Sequence, residues 1–454
     1  MLPAGFTEKM ERLPGLDAAA FFRALDGEAV RGLRINPAKC DALPAPSPFI
    51  LRKIAYVRGG YVLESCDVPV GQTPEHHAGM IYMQDPGAMC PVAAVNIEEG
   101  WRVADLCAAP GGKTSQLSAA VGEGGAVLSN EYVGKRAKIL VGNVERLGLR
   151  NVAVTSLDTS ELAKMYPAFF DLVAADAPCS GEGMFRKCED AVSDWSENNV
   201  RECAKRQAVI LDAAAKMVKP GGLLLYSTCT YSPEEDEMTV SAFTERYPEF
   251  SIIPVREEIR RVTAPGIRLP GVTTKNIEEC RRFYPYLTPG EGQFLCLMRK
   301  DGGEDEKTAV IKDTSPAPRG DTARAADAFI RENFVHGVTL PVRATGDILF
   351  IPPSGLPLPG KGLMSRGVII GEYRSGVLRP HHQMFSAYGS LMRRREELLP
   401  GDPRIKQYLH GEEIESADTG DDGYIAVCYS GAVIGGGKRV GNRIKNYYPK
   451  GLRE

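Results

Sequence analysis

Val103-Ala104-Asp105-Leu106-Cys107-Ala108-Ala109-Pro110-Gly111-Gly112-Lys113-Thr114 runs from a short apolar strand through a glycine turn into a helix-like stretch that reaches Val121. Outward from it the same alternation repeats. Ala126-Val127-Leu128-Ser129-Asn130 reads as a second strand. The helix after it places Val133, Ala137, Leu140, Val141, Val144 and Leu147 on one face. Asn151 to Leu157, Asp171 to Asp176 and Leu223 to Ser227 read as three further buried strands. Between the last two, Val200, Cys203, Ala204, Leu211, Ala214, Ala215 and Val218 recur at helical steps. Strands alternating with helices imply an α/β fold with a parallel, doubly wound sheet and right-handed crossovers.

A ligand of such a sheet lies above the carboxyl ends of its strands. Gly111 and Gly112 lack side chains, so the backbone can approach a bound molecule closely. The end of the turn, Gly112-Lys113-Thr114, looks like a phosphate-cradling P-loop, but that loop requires glycine where Cys107 stands. Glu131 follows the second strand, where a carboxylate accepts both hydroxyls of a ribose, and Asp158 follows the third, within reach of an adenine amine. Either acid alone is more often a solvated loop carboxylate; their placement at successive strand ends lowers that alternative. An adenosine-bearing ligand with no demand for a pyrophosphate fits S-adenosylmethionine better than NAD.

Two cysteines share this rim. The fourth strand ends in Asp176-Ala177-Pro178-Cys179-Ser180-Gly181 and the fifth in Ser227-Thr228-Cys229-Thr230-Tyr231. Free cysteine is usually a small buried hydrophobe, which suffices for the other nine, but a ligand crevice is a poor place to bury a thiol for packing alone. Ser232-Pro233-Glu234-Glu235 has the form of a capping box, which predicts a helix start that fixes the Cys229 loop and favours a thiolate there. A thiolate beside a methyl donor suits cytosine carbon-5, which is too weak a nucleophile unaided. Thiolate attack on carbon-6 makes carbon-5 enamine-like, and loss of the carbon-5 proton with elimination of the thiol restores aromaticity. Asp176 would hydrogen-bond the pyrimidine near N3 and its amine.

These residues resemble the Sun-type (Nol/Nop/Sun) RNA cytosine carbon-5 methyltransferases and, within them, the bacterial RsmF-type ribosomal RNA branch. The resemblance rests on Leu33-Arg34-Ile35-Asn36-Pro37, Gln84-Asp85-Pro86, the Asp105 to Thr114 turn and both cysteine motifs. Gly181-Glu182-Gly183-Met184-Phe185-Arg186-Lys187, Gly436-Gly437-Lys438-Arg439-Val440-Gly441 and Lys445 to Arg453 point to the RsmF branch. It covers nearly the whole chain. A Rossmann-like S-adenosylmethionine-dependent methyltransferase core is implied, with a small α/β N-terminal domain and a C-terminal β-rich, PUA-like RNA-binding region. Cys107, Ala108, Ala109, Pro110, Gly111, Gly112 and Lys113, with Glu131, Asp158 and Asp176, match the family's cofactor contacts. Cys229 matches its nucleophile and Cys179 the second cysteine, implicated in resolving the covalent adduct. DNA cytosine methyltransferases use the Pro-Cys thiol instead and lack a Thr-Cys partner. The chain departs from the pattern at Tyr286, where a histidine is common.

The 454 residues suggest roughly three domains at ~150 each. The expected division is an N-terminal α/β domain over 1–90, the methyltransferase domain over 91–300, a linker over 301–326 poor in large apolar residues, an associated domain over 327–390, and the PUA-like domain over 391–454. Apolar residues at 43% and charged residues at 25% are ordinary for a globular chain. A net charge of -3 excludes a uniformly basic nucleic-acid coat but leaves room for a local basic face. One such face is expected after Gly431, where Lys438, Arg439, Arg443 and Lys445 are interleaved with Tyr447 and Tyr448. The same end carries strand-like runs, Tyr424 to Tyr429 and Ala432 to Ile434, followed by a glycine-rich turn. Arg393-Arg394-Arg395, followed by Glu396-Glu397, reads as a solvated helix face. His381-His382 has no third ligand nearby, so no metal is expected. Eleven scattered cysteines, no secretory leader and no long apolar run imply a soluble cytoplasmic protein with reduced thiols. A monomer is expected, since nothing demands a dimer. The implied partner is ribosomal RNA or the small ribosomal subunit. A tRNA target and a catalytically silent assembly factor are the alternatives.

Overall fold

The computed structural model describes residues 2–302, 315–417 and 420–453. Strands β1 (Gly32–Ile35), β2 (Phe49–Lys53), β3 (Gly60–Cys66) and β4 (Ile81–Met83) form an antiparallel sheet in the order β2-β3-β1-β4. The core follows with β5 (Arg102–Asp105), β6 (Ala126–Asn130), β7 (Val152–Thr155), β8 (Phe170–Asp176) and β9 (Val218–Thr228). These five run parallel in the order β7-β6-β5-β8-β9. Strand order reverses between β5 and β8, so the crevice above their carboxyl ends is the topological switch point of the sheet.

The strands are apolar on both faces because both are covered. Val103, Val127, Leu172 and Leu225 pack with Leu117 and Leu140 of helices Gly112–Val121 and Gly134–Leu147. Ala104, Leu128, Val173 and Tyr226 pack with Leu162, Leu211 and Phe243 of helices Thr159–Met165, Glu197–Met217 and Glu237–Arg246. The doubly wound expectation therefore holds. Its edges are finished by segments that the alternation does not announce. β10 (Phe250–Ile252), β11 (Ala264–Pro265), β12 (Arg281–Phe283) and β13 (Gln293–Lys300) extend the sheet antiparallel beyond β9. Leu363–Ser365 pairs antiparallel with β7 at the other edge.

Three expectations for the C-terminal half change. Part of the expected linker, residues 303–314, lies outside the described residues, and its end is helical. Helix Gly320–Asn333 buries Ala326 and Phe329. Its alanines give helix without the large apolar residues that mark a core. Arg395 belongs to strand Arg395–Leu398, parallel to Gly423–Tyr429, not to a helix face; Glu396 points inward and pairs with Arg404 at 2.6 Å. The glycines after Ile434 are no turn: strand Ala432–Val440 continues through them. A Cβ at Gly436 would lie 2.1 Å from the Phe385 ring, and one at Gly437 2.5 Å from the Lys445 carbonyl oxygen, so only glycine lets these layers close.

The terminal regions share a core, in which Leu33 and Ile81 pack with Tyr408, Ile425 and Val427. Helices Ala4–Glu11 and Ala18–Leu25 instead place Phe6 and Phe21 against Phe185, Tyr231 and Tyr284, beside the cysteine-bearing loops. No helix among the described residues is long and apolar enough to cross a membrane.

Candidate active site

β5 delivers the turn, and buried contacts hold it from behind. Asp105 is fully buried, and burial pushes its carboxyl up to about 7; Oδ2 accepts a 2.7 Å hydrogen bond from Thr114 Oγ1. Gly111 sits at φ 115°, a conformation that favours glycine. Arg34 in β1 donates to Gln84 Oε1 at 2.6 Å, to the Gly112 carbonyl at 2.8 Å and to Ser115, tying the N-terminal sheet to the helix that the turn opens. This gives a physical role to Arg34 and Gln84, which sequence reasoning valued only as family motifs.

A cavity of about 660 Å³ opens above the carboxyl ends of β5 to β9. Cys107, Ala109, Glu131, Asp158, Asp176, Cys179 and Cys229 all line it. Ala108, Pro110, Gly111, Gly112 and Lys113 are not among its lining residues. Lys113 lies in the first turn of its helix, buried, with Nζ 2.8 Å from Asp176 Oδ2. That ion pair and a 2.7 Å bond from Ser227 Oγ to Oδ1 leave Asp176 fixed at the rim. Glu131 is almost fully buried: Oε1 accepts from the Val133 backbone N–H at 2.9 Å, and Oε2, 3.3 Å from the Arg136 guanidinium, accepts no hydrogen bond. Asp158 caps helix Thr159–Met165, and hydrogen bonds from Ser160 hold its carboxyl below the usual range.

The two thiols meet at the other end, with Cys179 Sγ 3.3 Å from Cys229 Sγ. The hydrogen bond with Cys229, followed by burial, raises the Cys179 thiol well above its ordinary pKa. The expected capping box after Cys229 is absent. Ser232 Oγ donates to Glu182 at 2.6 Å and Glu235 accepts from the Ser180 N–H at 3.0 Å, so a turn occupies this stretch and the helix starts only at Glu237. Tertiary partners, not a helix N-terminus, hold the Cys229 loop.

Sequence reasoning missed Arg206, Val209 and Ile210, which line the cavity from helix Glu197–Met217. Arg206 is exposed and follows Lys205, and an exposed pair of cations beside an apolar helix stripe carries no signal that separates it from a solvated face.

Comparison with known proteins identifies the family. The profile described as 16S rRNA methyltransferase RsmB/F matches residues 92–299, the RsmF N-terminal domain matches 2–86, and the methyltransferase RsmF PUA domain matches 395–454. Ribosomal RNA small subunit methyltransferase F of Escherichia coli strain SE11 is 32% identical over 99% of this chain and 96% of its own. The chain belongs to the RsmB/F family. The same-named protein of Klebsiella pneumoniae strain 342 is 30% identical over 95% of this chain and 92% of its own. A solved methyltransferase homologue from Pyrococcus horikoshii, 26% identical, superposes with a TM-score of 0.56 over 65% of this chain and 94% of its own. This RsmB/F-family protein is thus a methyltransferase with a Rossmann-like core, a small N-terminal domain and a PUA-like C-terminal region, and its fold carries an S-adenosylmethionine site. The residues present fit that cofactor. The cavity lies within the size range of small-molecule sites, carboxylates stand at successive strand ends, and Glu131 keeps one buried oxygen without a hydrogen bond.

The C-terminal basic residues divide between two faces. Lys438 pairs with Lys445 and Val440 with Arg443 across adjacent strands, so Lys438, Arg443 and Lys445 share one exposed face. Arg439 faces the other way, buried, and donates to the Asp421 carbonyl at 2.6 Å. Its place in the expected RNA-binding set is therefore corrected: strand alternation turns it inward.

Proposed function

We propose that this enzyme methylates carbon-5 of a cytosine in 16S ribosomal RNA through a covalent bond between Cys229 and cytosine carbon-6. The observation that carries this reading is the pair of thiols 3.3 Å apart in the same cavity as three strand-end carboxylates. S-adenosylmethionine supplies an electrophilic methyl group on its sulfonium sulfur. Glu131 and Asp158 hold its adenosine, with Cys107, Ala109 and Asp176 lining the site. Ala108, Pro110, Gly111, Gly112 and Lys113 act from behind by shaping the turn and neutralising Asp176.

Cys229 attacks as thiolate, forming a sulfur–carbon-6 bond and pushing electron density to carbon-5, while Asp176 orients the pyrimidine edge. Carbon-5 then takes the methyl group, and the sulfur–methyl bond breaks with its electron pair left on a neutral thioether. The neighbouring Cys179 is held as a thiol by its hydrogen bond with Cys229. Once the Cys229 sulfur is bonded to carbon, that interaction no longer favours the protonated form, so Cys179 ionises more readily. Loss of the carbon-5 proton to Cys179 and cleavage of the sulfur–carbon-6 bond restore the double bond and release Cys229. A target base in folded RNA has to leave its stack to enter such a cavity, at a cost of a few kcal/mol. Arg206, which lines the cavity, supplies a cation for an adjoining phosphate. The 1–90 and 391–454 regions act as RNA-docking domains and 91–300 as the catalytic domain of a cytoplasmic monomer, with 327–390 as the associated domain between.

Purified protein incubated with methyl-labelled cofactor and separate small-subunit rRNA, tRNA and duplex DNA is expected to label the rRNA. Label confined to tRNA would overturn the rRNA target, and absence of transfer to any RNA would support a silent assembly factor. Independently, the double substitution Lys438→Glu with Lys445→Glu is expected to weaken RNA binding and to lower the slope of log affinity against log salt by about 2. Titration of labelled rRNA across salt concentrations measures this, and an unchanged slope removes the face from the RNA contact.

A further inference from the structure

Glu182 is fully buried between the two cysteine loops and makes no salt bridge within 4.0 Å among the described residues. It accepts four hydrogen bonds. Oε1 takes Trp195 Nε1–H at 2.8 Å and Ser232 Oγ–H at 2.6 Å; Oε2 takes Thr230 Oγ1–H at 2.8 Å and the Tyr231 backbone N–H at 2.9 Å. A carboxylate offers about four acceptor sites, so its capacity is used up. Three of the four donors follow Cys229 directly in the chain, and Glu182 lies three residues after Cys179. The Gly183 N–H also donates to the Cys229 carbonyl at 2.9 Å, and Ser180 Oγ lies 2.8 Å from Thr230 Oγ1. A Cβ at Gly183 would sit 2.9 Å from the Cys229 carbonyl oxygen, so the loops approach at contact distance. Phe6 packs on both Phe185 and Trp195, with centroids at 5.0 and 6.2 Å, and shields this knot from the protein's outer side.

We infer that Glu182 is a positioning residue that sets the Cys229 sulfur against Cys179 and toward the cavity. The inference rests on Cys229 as the nucleophile. Each Glu182 oxygen faces one N–H that can only donate, Trp195 Nε1–H on one and Tyr231 N–H on the other. Glutamine matches the shape but turns an NH₂ group against one of these donors in either orientation. The carboxylate is therefore required for its acceptors.

The test uses the full-length enzyme and 16S rRNA carrying 5-fluorocytidine, in which the missing carbon-5 proton blocks release and leaves the adduct visible on a denaturing gel. Glu182→Gln is expected to form adduct about 100-fold more slowly, the scale of a 1 Å misplacement, with cofactor affinity unchanged. Glu182→Asp, which restores the acceptors, is expected to recover part of the rate. Trp195→Phe removes one donor while keeping an aromatic ring, and is expected to slow trapping roughly tenfold at unchanged cofactor affinity; it carries the test if Glu182→Gln does not fold. Wild-type trapping matched by both Glu182→Gln and Trp195→Phe overturns the role of Glu182 alone. Parallel loss of cofactor affinity and trapping in both variants also overturns it, because it makes the contact merely structural. A wild-type enzyme that methylates without forming adduct removes the Cys229 reading and this one with it.

Discussion

Replacement of Cys229 by alanine is expected to abolish methyl transfer, by at least ~10³-fold, while cofactor binding is retained. The separation follows from the cavity. Glu131 and Asp158 stand at the ends of β6 and β7, whereas Cys229 follows β9 on the far side of the switch point. Truncating the thiol removes the bond to carbon-6 and leaves the adenosine end untouched. The Cys229 loop keeps its remaining ties, since Thr230, Tyr231 and Ser232 bond Glu182 through atoms that the substitution spares. Single-turnover transfer from methyl-labelled cofactor to 16S rRNA measures the loss, and calorimetric titration with cofactor measures what persists. Full methylation by Cys229→Ala protein would refute covalent catalysis through this residue.

The catalytic half of the molecule is legible because its signals are local. Val103, Val127, Leu128, Val173 and Leu224 lie in apolar runs that only a strand covered on both faces explains, and the intervening helices declare themselves by period. Once strand ends are placed, Glu131, Asp158, Asp176, Cys179 and Cys229 converge on one rim without further information. What stayed hidden depends on distant partners. Leu363–Ser365 completes the edge beside β7 from about 200 residues away, and nothing in its own three residues names that neighbour. The motif Ser232-Pro233-Glu234-Glu235 favours a cap locally, but Glu182 claims the serine hydroxyl, while Ser180 and Gln207 claim the Glu235 carboxylate. Charge alone places Arg439 in the RNA-binding set, and charge is blind to which face of a strand a residue occupies. Reading it correctly requires knowing that Gly435 to Gly437 continue the strand, which Phe385 decides from the neighbouring layer.

Cys179→Ala is expected to behave in the opposite way to Cys229→Ala, retaining the first methyl transfer and losing release. The enzyme should label one equivalent of RNA and then stall as a protein–RNA adduct on a denaturing gel, with multiple turnover reduced by roughly 10² to 10⁴-fold, the range for loss of a positioned acid–base group. Cys179 donates no bond to carbon in the proposed reaction, so its removal spares the attack on carbon-6. Its thiol is held protonated by Cys229 in the resting site, and the adduct converts the Cys229 sulfur to a neutral thioether, which removes the chief cause of that elevation. In the proposed reaction Cys179 therefore ionises more readily once the nucleophile has reacted. Alanine leaves no such acceptor at 3.3 Å from the bonded sulfur, and elimination has no local partner. A Cys179→Asp protein, which puts a permanent base in this place, should accumulate less adduct than Cys179→Ala. Equal turnover by Cys179→Ala and wild type, with no adduct band, would remove Cys179 from the release step and return the carbon-5 proton to another group.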